Sequence, residues 1–337
     1  MIVTFIYCNR PADSLRVQVR CRNLADVINR SGQHRANLLD MKSFVENTSR
    51  AQRLCGESDL LVIYRYLYDS ILSIVQYWQA RDKKVIVDFD QAFDLLSPDS
   101  PDALFWQKGH RMDGCFDSPA RISPPPLEQF KWGLAILDAA TVNSYRLADD
   151  WAQFTKIYTL PDYLNTDQYP ALNQPLEGEI RLGLGYRARA SAAASSGLMP
   201  AIERVCRQYP QVKFVEFTQP CAGLDEWVSH LSTLDIGLMP AHDPYDMRLG
   251  SYDLLEFMIS KISWLASANA QFQPFSAYGD LVKNTAQDWE AALLDAVDHL
   301  EARREEAGGS AFLFALSQNL ASNLAAILKV YETILHQ

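Results

Sequence analysis

The sequence predicts an α/β protein of two domains, each built on a parallel sheet covered by helices. Its 337 residues exceed one ordinary hydrophobic core and are enough for two. Short apolar stretches bounded by turn residues recur along the chain with helical segments between them, which is the pattern of parallel strands. The pattern stops in a polar segment with three prolines, residues 158–179, and starts again at Ile180. We therefore interpret residues 158–179 as an interdomain linker.

The amino-acid composition indicates a globular protein and argues against a membrane-spanning or nucleic-acid-binding one. Hydrophobic residues make up 48% of the chain and charged residues 21%, which is typical of a globular protein. No apolar run approaches the roughly 18 residues that cross a bilayer. The segment Met1–Tyr7 resembles a first strand and not a signal peptide, so we expect a cytoplasmic protein. The formal net charge of −10 argues against a nucleic-acid partner.

Cysteine and histidine usage predicts neither a metal nor a cofactor. The six cysteines include no C-x-x-C pair, and the six histidines show no zinc-binding spacing. In a chain interpreted as cytoplasmic, we expect the cysteines to be reduced, several of them as plain core residues.

In the first half, a helix from about Ser14 to Asn29 should end at Gly32, which suits a C-cap, and a second should span Asp69–Ala80. Residues 97–127 are rich in proline and too long for an ordinary connection, so we expect an irregular insertion at the carboxyl edge of the first sheet. The predicted strands are Ile2–Tyr7, Ala36–Leu39, Leu60–Tyr64, Lys84–Phe89 and Ala140–Val142.

The second half repeats the pattern with four strands and three helices. Beyond it, leucines three or four apart predict one amphipathic helix over Ser310–Gln337 that packs on the protein itself. The strands are Ile180–Leu184, Val212–Phe217, Ile236–Pro240 and Ser263–Ala266, and the helices are Leu198–Gln208, Leu224–Leu231 and Tyr252–Ile259.

Basic residues are concentrated near the start of the chain. Nine arginines and lysines stand against four acidic residues between Arg10 and Arg53. A solvated helix face is the favoured interpretation. The alternative is a patch that contacts an anionic acceptor or a membrane surface.

Two loops of the second half carry groups that suit a diphosphate. Ligands of parallel sheets bind beyond the carboxyl ends of the strands, and two such domains offer a cleft between them. Gly183–Arg187 leaves a strand with two glycines and an arginine, and Gly250–Ser251 leads into a helix. Backbone amides at a helix N-terminus together with an arginine bind phosphates well.

Taken in order, several segments resemble the retaining nucleotide-sugar glycosyltransferases of the GT-B fold (glycosyltransferase group 1, family 4-like). Leu231–Pro240 is close to the family's "l-x-x-a-D-i-g-l-x-P". Ser251–Met258 is similar to "S-x-K-x-l-E-y-m", and Trp264–Ser267 to the strand "P-v-v-A-S". In the first half, Lys84–Asp90 resembles the family's strand ending in an Asp-x-Asp pair. The family's first helix resembles Arg16–Ala25, and the stretch that closes its N-terminal domain resembles Ala139–Leu147. Its crossing into the second domain resembles Tyr158–Asp162.

The resemblance implies two Rossmann-like domains facing across a cleft. Residues 1–165 would form the acceptor-side domain, residues 176–310 the nucleotide-sugar domain, and residues 311–337 a helix returning to the first. It implies transfer of a sugar, with retention, from a nucleotide diphosphate sugar to a hydroxyl acceptor whose identity is open. No nucleic acid, cofactor or metal takes part, and the basic N-terminal region allows a peripheral membrane contact.

The resemblance also implies roles for particular residues. Asp90, Arg187 and Glu256 are the expected catalytic group: Arg187 meets the departing diphosphate, Glu256 holds the ribose and Asp90 orients the sugar or acceptor. The acceptor side comprises Asp88, Asp90, Asn143 and Ser144. The donor side comprises Gly185, Tyr186, Arg187, Pro240, His242, Arg248, Gly250, Ser251, Tyr252 and Glu256.

Several of these positions have a plainer explanation. Asp90 would then cap a turn, Glu256 would interact with its helix dipole, and His242 would be structural or exposed. For Tyr64, Tyr66, Tyr68 and Trp78 core packing is the default, while Arg65 is placed to reach the cleft.

The chain departs from the family pattern at the donor site. Asp253 stands where the family has a lysine, and Arg248 where it has the first glutamate of a pair. The stretch Ile259–Ser263 lacks the family's glycine and proline. Arg248 or Lys261 could supply the missing cation. Two other functions therefore stay open: a non-catalytic GT-B-like module that binds a glycan, nucleotide or partner protein, and a sugar-nucleotide epimerase.

Overall fold

The computed structural model describes residues 1–98, 100–111, 115, 121–169, 178–217 and 223–337. The chain divides into two compact units. Unit 1 comprises Met1–Asp162 and Asn323–Gln337, and unit 2 comprises Tyr163–Ser322. Within the described ranges, no helix combines the length and the apolar character needed to cross a membrane.

Unit 1 contains a six-stranded sheet in which every neighbouring pair is parallel, in the order β2-β1-β3-β4-β5-β6. The central strands are buried along almost their whole length, which is why they appear in the sequence as continuous apolar runs. The strands are β1 Ile2–Tyr7, β2 Arg35–Asp40, β3 Leu60–Tyr64, β4 Lys84–Phe89, β5 Ala139–Val142 and β6 Ile157–Thr159.

The helices of unit 1 begin with a continuous stretch in which a π-helical segment, Gln18–Arg22, joins α1 to α2. This stretch confirms the helix predicted over Ser14–Asn29, and Gly32 follows it with a φ of +69°. The helices are α1 Ser14–Val17, α2 Asn23–Arg30, α3 Met41–Val45, α4 Ser49–Glu57, α5 Ser70–Gln79, α6 Pro101–Trp106, α7 Pro126–Ile136 and α8 Tyr145–Trp151.

Unit 2 contains a five-stranded parallel sheet in the order β11-β10-β9-β7-β8. Its strands are β7 Ile180–Leu184, β8 Val212–Val215, β9 Ile236–Met239, β10 Ser263–Ser267 and β11 Asp280–Val282. Its helices are α9 Ala190–Ser195, α10 Leu198–Gln208, α11 Leu224–Leu231, α12 Tyr252–Ile259, α13 Ala286–Asp298, α14 Leu300–Glu306 and α15 Phe312–Ser317.

The two sheets share one topology. Counted from its own first strand, each sheet has the order 2-1-3-4-5, and unit 1 adds a sixth strand. The order reverses between β1 and β3 in unit 1 and between β7 and β9 in unit 2. Ligands of open α/β sheets bind outside the carboxyl ends of the strands at such a point. The predicted α/β class with two parallel sheets is confirmed.

The sequence missed two strands, β6 and β11, each only three residues long. It also predicted one helix where the chain forms two. Helix α15 ends at Ser317, and α16 spans Leu324–Leu335 and lies in unit 1. Between them the backbone pairs with Leu164, which accepts a hydrogen bond from Leu320 at 2.7 Å and donates one to Gln318 at 3.0 Å. These bonds replace the helical ones and interrupt the helix.

The expectation of reduced cysteines is wrong for one pair, because Cys8 and Cys115 form a disulfide. They are 107 residues apart, so no local spacing indicated the bond. Cys8 directly follows β1, and the disulfide therefore places part of the predicted insertion at the carboxyl edge of the sheet. The insertion also contains α6 and is not wholly irregular. Residues 99, 112–114 and 116–120 of it, residues 170–177 of the predicted linker, and Cys221 lie outside the described residues.

Candidate functional site

In unit 2 the loop after β7 lies against the start of α12. The backbone N–H of Gly185 donates to the carbonyl of Leu238 on β9 at 3.0 Å, which extends the ladder by one residue. A Cβ atom on Gly185 would lie 3.0 Å from Oδ1 of Asp253 and 3.1 Å from Sδ of Met239. Glycine therefore allows this loop to approach α12 closely, at the point where the strand order reverses.

Arg187 is fixed by Asp253. Its Nε donates to Oδ2 of Asp253 at 2.6 Å, and its backbone N–H donates to Oδ1 at 2.8 Å. Nη2 donates to the carbonyl of Gly250 at 2.7 Å. Asp253 is only 1% exposed, so this ion pair lies in a region of weak screening. Asp253 positions the guanidinium and also neutralises part of its charge.

Glu256 lies one turn further along α12 and is buried. Its Oε1 accepts hydrogen bonds from the Tyr169 hydroxyl at 2.7 Å and from Trp227 Nε1 at 2.9 Å. Burial raises the pKa of Glu256 to about 8, and the negative charge of Asp253 contributes to the rise. The carboxyl group is therefore mostly protonated at neutral pH.

The other residues predicted for the donor side surround the same helix start in different ways. The Tyr252 hydroxyl lies 3.1 Å from that of Tyr169, and Tyr186 packs at a steep angle on Trp227, with ring centroids 5.5 Å apart. Ser251 immediately precedes α12, and its carbonyl accepts from the N–H of Leu254 at 3.1 Å.

The segment that leads from β9 to α12 contains three more residues predicted for the donor side: Pro240, His242 and Arg248. Pro240 is buried directly after β9. His242 is exposed, and its backbone N–H donates to Asp246 at 3.0 Å. Arg248 donates through Nη1 to the carbonyl of Pro244 at 2.9 Å. The structure thus gathers Gly185, Arg187, Gly250 and Glu256 around α12, while His242 joins the hydrogen bonds through its backbone alone.

A second arginine at this edge was missed by the sequence reasoning. Arg189 donates through Nε to Asp246 at 2.7 Å and also pairs with Asp243. Burial raises the pKa of Asp246. Among the described residues at the carboxyl edge of unit 2, Arg187 therefore pairs with Asp253 and Arg189 with Asp243 and Asp246, and Glu256 lies on α12 one turn after Asp253. In the sequence, the arginines that follow β7 and the acidic residues that follow β9 were the signal that could have indicated this group of ion pairs.

In unit 1 the two predicted acceptor-side carboxylates are bound by arginines. Asp88 is buried and accepts from Arg20 Nε at 2.8 Å and from the Thr141 hydroxyl at 2.6 Å. Asp90 is buried and accepts from Arg16 Nε at 2.5 Å and from Arg65 Nε at 2.8 Å.

These pairs belong to a longer chain of alternating charges. Arg65 donates to Asp13 at 2.7 Å, and Asp13 also pairs with Arg10 at 3.3 Å. Asp162 accepts from Arg16 and from Arg20, each at 3.1 Å. We call this chain the arginine–aspartate network; its order is Arg10, Asp13, Arg65, Asp90, Arg16, Asp162, Arg20, Asp88.

The interpretation of the basic segment as a solvated face is wrong for Arg16 and Arg20, while Arg22, Arg30, Arg35, Lys42, Arg50 and Arg53 are exposed as expected. Arg16 and Arg20 are 5% and 6% exposed, because they point inward to acids on distant strands and loops. Burial alone would raise the pKa of Asp90, but Arg16, Arg65 and Arg20 outweigh it and hold that pKa well below its usual range. Asp90 is therefore ionised and fully paired.

The remaining predicted residues of unit 1 support this arrangement. Asn143 Nδ2 donates to Asp162 at 3.0 Å, and Ser144 caps α8 by accepting from the N–H of Leu147 at 3.2 Å. Tyr64 and Tyr66 are buried, as core packing predicted, and their hydroxyls donate to Asp90 and Asp13.

Among solved structures the whole chain resembles several GT-B proteins. It matches sucrose-phosphate synthase from Thermosynechococcus elongatus over 99% of both chains, with 12% identity and a TM-score of 0.64. It matches AviGT4, a glycosyltransferase involved in avilamycin A biosynthesis, over 100% of this chain and 98% of that one, with 11% identity and a TM-score of 0.59. The UDP-GlcNAc 2-epimerase from Neisseria meningitidis, solved with UDP-GlcNAc, matches over 100% of both, with 8% identity and a TM-score of 0.53.

No family profile matches the sequence, and no curated protein resembles it in sequence. At 8–12% identity the likeness of the solved structures shows the fold alone.

Proposed function

Because the chain has the GT-B fold, we propose that it transfers a sugar from a nucleotide diphosphate sugar to a hydroxyl acceptor, with retention. Its structural neighbours support this proposal, since they include a named glycosyltransferase and an epimerase solved with a nucleotide sugar. The donor site would be the carboxyl edge of unit 2, where the strand order reverses.

The observation that carries the proposal is the arrangement of Arg187, Gly250 and Glu256 at the start of α12. Glu256 is neutral at pH 7 and held by two fixed donors, so it can exchange hydrogen bonds with ribose hydroxyls without repelling the diphosphate. Arg187 is oriented at the same helix end by Asp253 and Gly250. A helix N-terminus and an arginine are the groups that bind phosphates in many α/β proteins.

The reaction would begin with departure of the diphosphate. Arg187 and the backbone amides of residues 250–252 would stabilise the charge that develops on the leaving oxygens. The acceptor hydroxyl would attack on the face that the leaving group vacates and pass its proton to the departing diphosphate oxygen, so no covalent nucleophile is required. The acceptor-side roles of Asp88, Asp90, Asn143 and Ser144 rest on the family resemblance.

One specific observation favours a second function, a non-catalytic GT-B-like module. Arg187 already pairs with Asp253, so less of its positive charge remains for a diphosphate, and Asp253 would repel that ligand. A module that binds a glycan, a nucleotide or a partner protein does not need to stabilise a leaving diphosphate.

Titration of the purified chain with UDP-, GDP-, ADP- and CMP-sugars tests the proposal. A donor should raise the melting temperature through mass action. Arg187→Ala should weaken binding by roughly 1.5–3 kcal/mol, and Arg187→Lys should recover only part of the loss. Arg204→Ala is the matched control, because Arg204 lies on α10 and bonds to Glu290.

The outcomes separate the candidate functions. A transferase releases nucleoside diphosphate only when an acceptor is present, whereas an epimerase forms the epimer without one. Equal affinities for wild type and Arg187→Ala would remove Arg187 from the site. If Asp253→Lys, which restores the family residue, also fails to bind any donor, the non-catalytic module is the better description.

A further inference from the structure

A groove of about 450 Å³ lies along the outer edge of the unit 1 sheet. Its floor is the middle of β2, from Ala36 to Leu38, and its walls are α2 and α4. The groove lies beside the middle of the edge strand and not beyond its last residue, Asp40. It is therefore a separate place from the arginine–aspartate network, and nothing in the proposed function assigns a role to it.

The backbone of the edge strand is partly capped, so the groove is not suited to adding another strand. The Asn29 side chain accepts from the Ala36 N–H at 2.8 Å and donates to the Ala36 carbonyl at 2.9 Å. Arg50 donates through Nη2 to the carbonyl of Leu38 at 3.2 Å. Such caps block pairing with another chain, and they leave the side chains of the walls as the groups that can meet a ligand.

Three exposed arginines line the groove: Arg22, Arg50 and Arg53. Its one carboxylate, Asp26, pairs with Arg30 at 2.7 Å. Glu57, the last residue of α4, pairs with Arg35. The acids around the groove are thus already matched, and the three guanidinium groups give it a net positive charge in a chain whose formal charge is −10.

We infer that this groove binds the phosphoryl group of an anionic ligand. A guanidinium presents a planar fork that matches the oxygens of phosphate, and three such cations around one groove favour a multiply charged group over a single carboxylate. The volume is in the range of small-molecule sites. The phosphoryl group belongs either to a free phosphorylated molecule or to the headgroup of an anionic lipid.

The test measures two kinds of binding for the full chain. Inorganic phosphate is titrated by isothermal calorimetry at low salt. In parallel, flotation is measured with vesicles of equal parts phosphatidylcholine and phosphatidylglycerol, and with vesicles of phosphatidylcholine alone. The variants are Arg53→Gln and the double variant Arg22→Gln/Arg53→Gln. The control is Arg146→Gln, which removes the same charge from an exposed position on α8.

The wild type should bind phosphate or the anionic vesicles but not the neutral ones. Arg53→Gln should weaken that binding roughly tenfold, the double variant should weaken it further, and Arg146→Gln should leave it unchanged. Because all three positions are exposed, the melting temperature of every variant should equal that of the wild type. Arg53→Lys, which keeps the charge but not the fork, should bind with intermediate strength.

The two assays also identify the source of the phosphoryl group. Binding of phosphate without flotation assigns a free ligand, and flotation with anionic vesicles alone assigns a lipid headgroup. The inference is overturned if the wild type binds neither probe. It is also overturned if Arg146→Gln weakens binding as much as Arg53→Gln, because the binding would then follow overall charge and not the groove.

Discussion

The two sheets share a strand order, yet their carboxyl edges balance charge differently. The edge of unit 1 places four arginines against four aspartates, so each charge meets an opposite one. At the edge of unit 2, Arg187 pairs with Asp253 and Arg189 with Asp243 and Asp246, and Glu256 there is mostly protonated at neutral pH. Topology brings strand ends together in both units, but unit 1 pairs each aspartate of its network with arginine, whereas unit 2 has a buried carboxyl group, Glu256, with a raised pKa.

The energetics of buried charge explain the contrast. Removing one partner of a buried ion pair costs about 3–5 kcal/mol, because the other charge remains unpaired and out of water. Removing one residue from the arginine–aspartate network of unit 1 should therefore lower the free energy of unfolding strongly. An acid that can take up a proton, such as Glu256, avoids this penalty and keeps its hydrogen bonds.

The largest effect is expected from removing an arginine in the middle of the network. Arg16→Met should lower the free energy of unfolding by about 3–5 kcal/mol, since Asp90 and Asp162 each lose a partner. Urea unfolding followed by circular dichroism measures the loss. Arg146→Met, at an exposed site, should change stability by less than about 0.5 kcal/mol.

Replacing an arginine by methionine in unit 2 tests whether the carboxyl edges of the two sheets differ in stability. Arg187→Met should cost less than Arg16→Met, because among the described residues Arg187 pairs with one acid, and Asp253 keeps its hydrogen bond from the backbone N–H of residue 187. Equal losses at the two positions would show that charge balance does not distinguish the edges.

The next effect is a pH dependence specific to unit 2. Because Glu256 has a pKa of about 8 in the folded chain and an ordinary value of 4.5, the folded state binds more protons between these pH values. Stability should therefore fall as pH rises from about 4.5 to 8, by an amount on the order of 4 kcal/mol. Urea unfolding of wild type and Glu256→Gln across this range measures the slope.

Glu256→Gln should remove most of this decline, and Glu203→Gln, an exposed change on α10, should leave it intact. Asp253→Asn should reduce the decline, since the charge of Asp253 contributes to the raised pKa. A wild-type slope that survives in Glu256→Gln would assign the titration to another group.

The smallest effect compares two hydroxyl deletions. Tyr169→Phe removes one of two donors to Glu256 Oε1 and should cost about 1–2 kcal/mol. Its loss should also raise the pKa of Glu256 further, since that hydrogen bond lowers it. Tyr64→Phe should cost less, because Asp90 keeps Arg16 and Arg65. Urea unfolding of both variants at pH 6 and 8 measures the difference, and a larger cost for Tyr64→Phe would contradict it.

The sequence predicted those features that depend on neighbouring residues. The buried strands β3 and β4 appear as apolar runs, and α12 with Glu256 in its first turns follows from a short local pattern. The partners of buried charges could not be predicted in this way. Arg20 meets Asp88 across 68 residues and Asp162 across 142, and no local pattern indicates either pairing.

The sequence predicted where the donor-side residues lie, but it did not predict the electrostatic interactions between them. The sequence places Arg187 and Asp253 in loops of one sheet edge, but it gives no sign that they bond to each other. Tyr169 and Trp227, which hold Glu256, come from a segment before the sheet and from α11, and their contribution depends on the folded arrangement.

The division of the chain has a consequence for its synthesis on the ribosome. Unit 2 is contiguous, so the stretch Tyr163–Ser322 contains all the residues that this unit needs to fold. Unit 1 is not, because α16, which is made after unit 2, buries Ile327, Tyr331 and Ile334 in it. The first sheet to be synthesised is therefore the last to be completed, and until α16 arrives the nascent chain exposes the apolar surface that this helix covers.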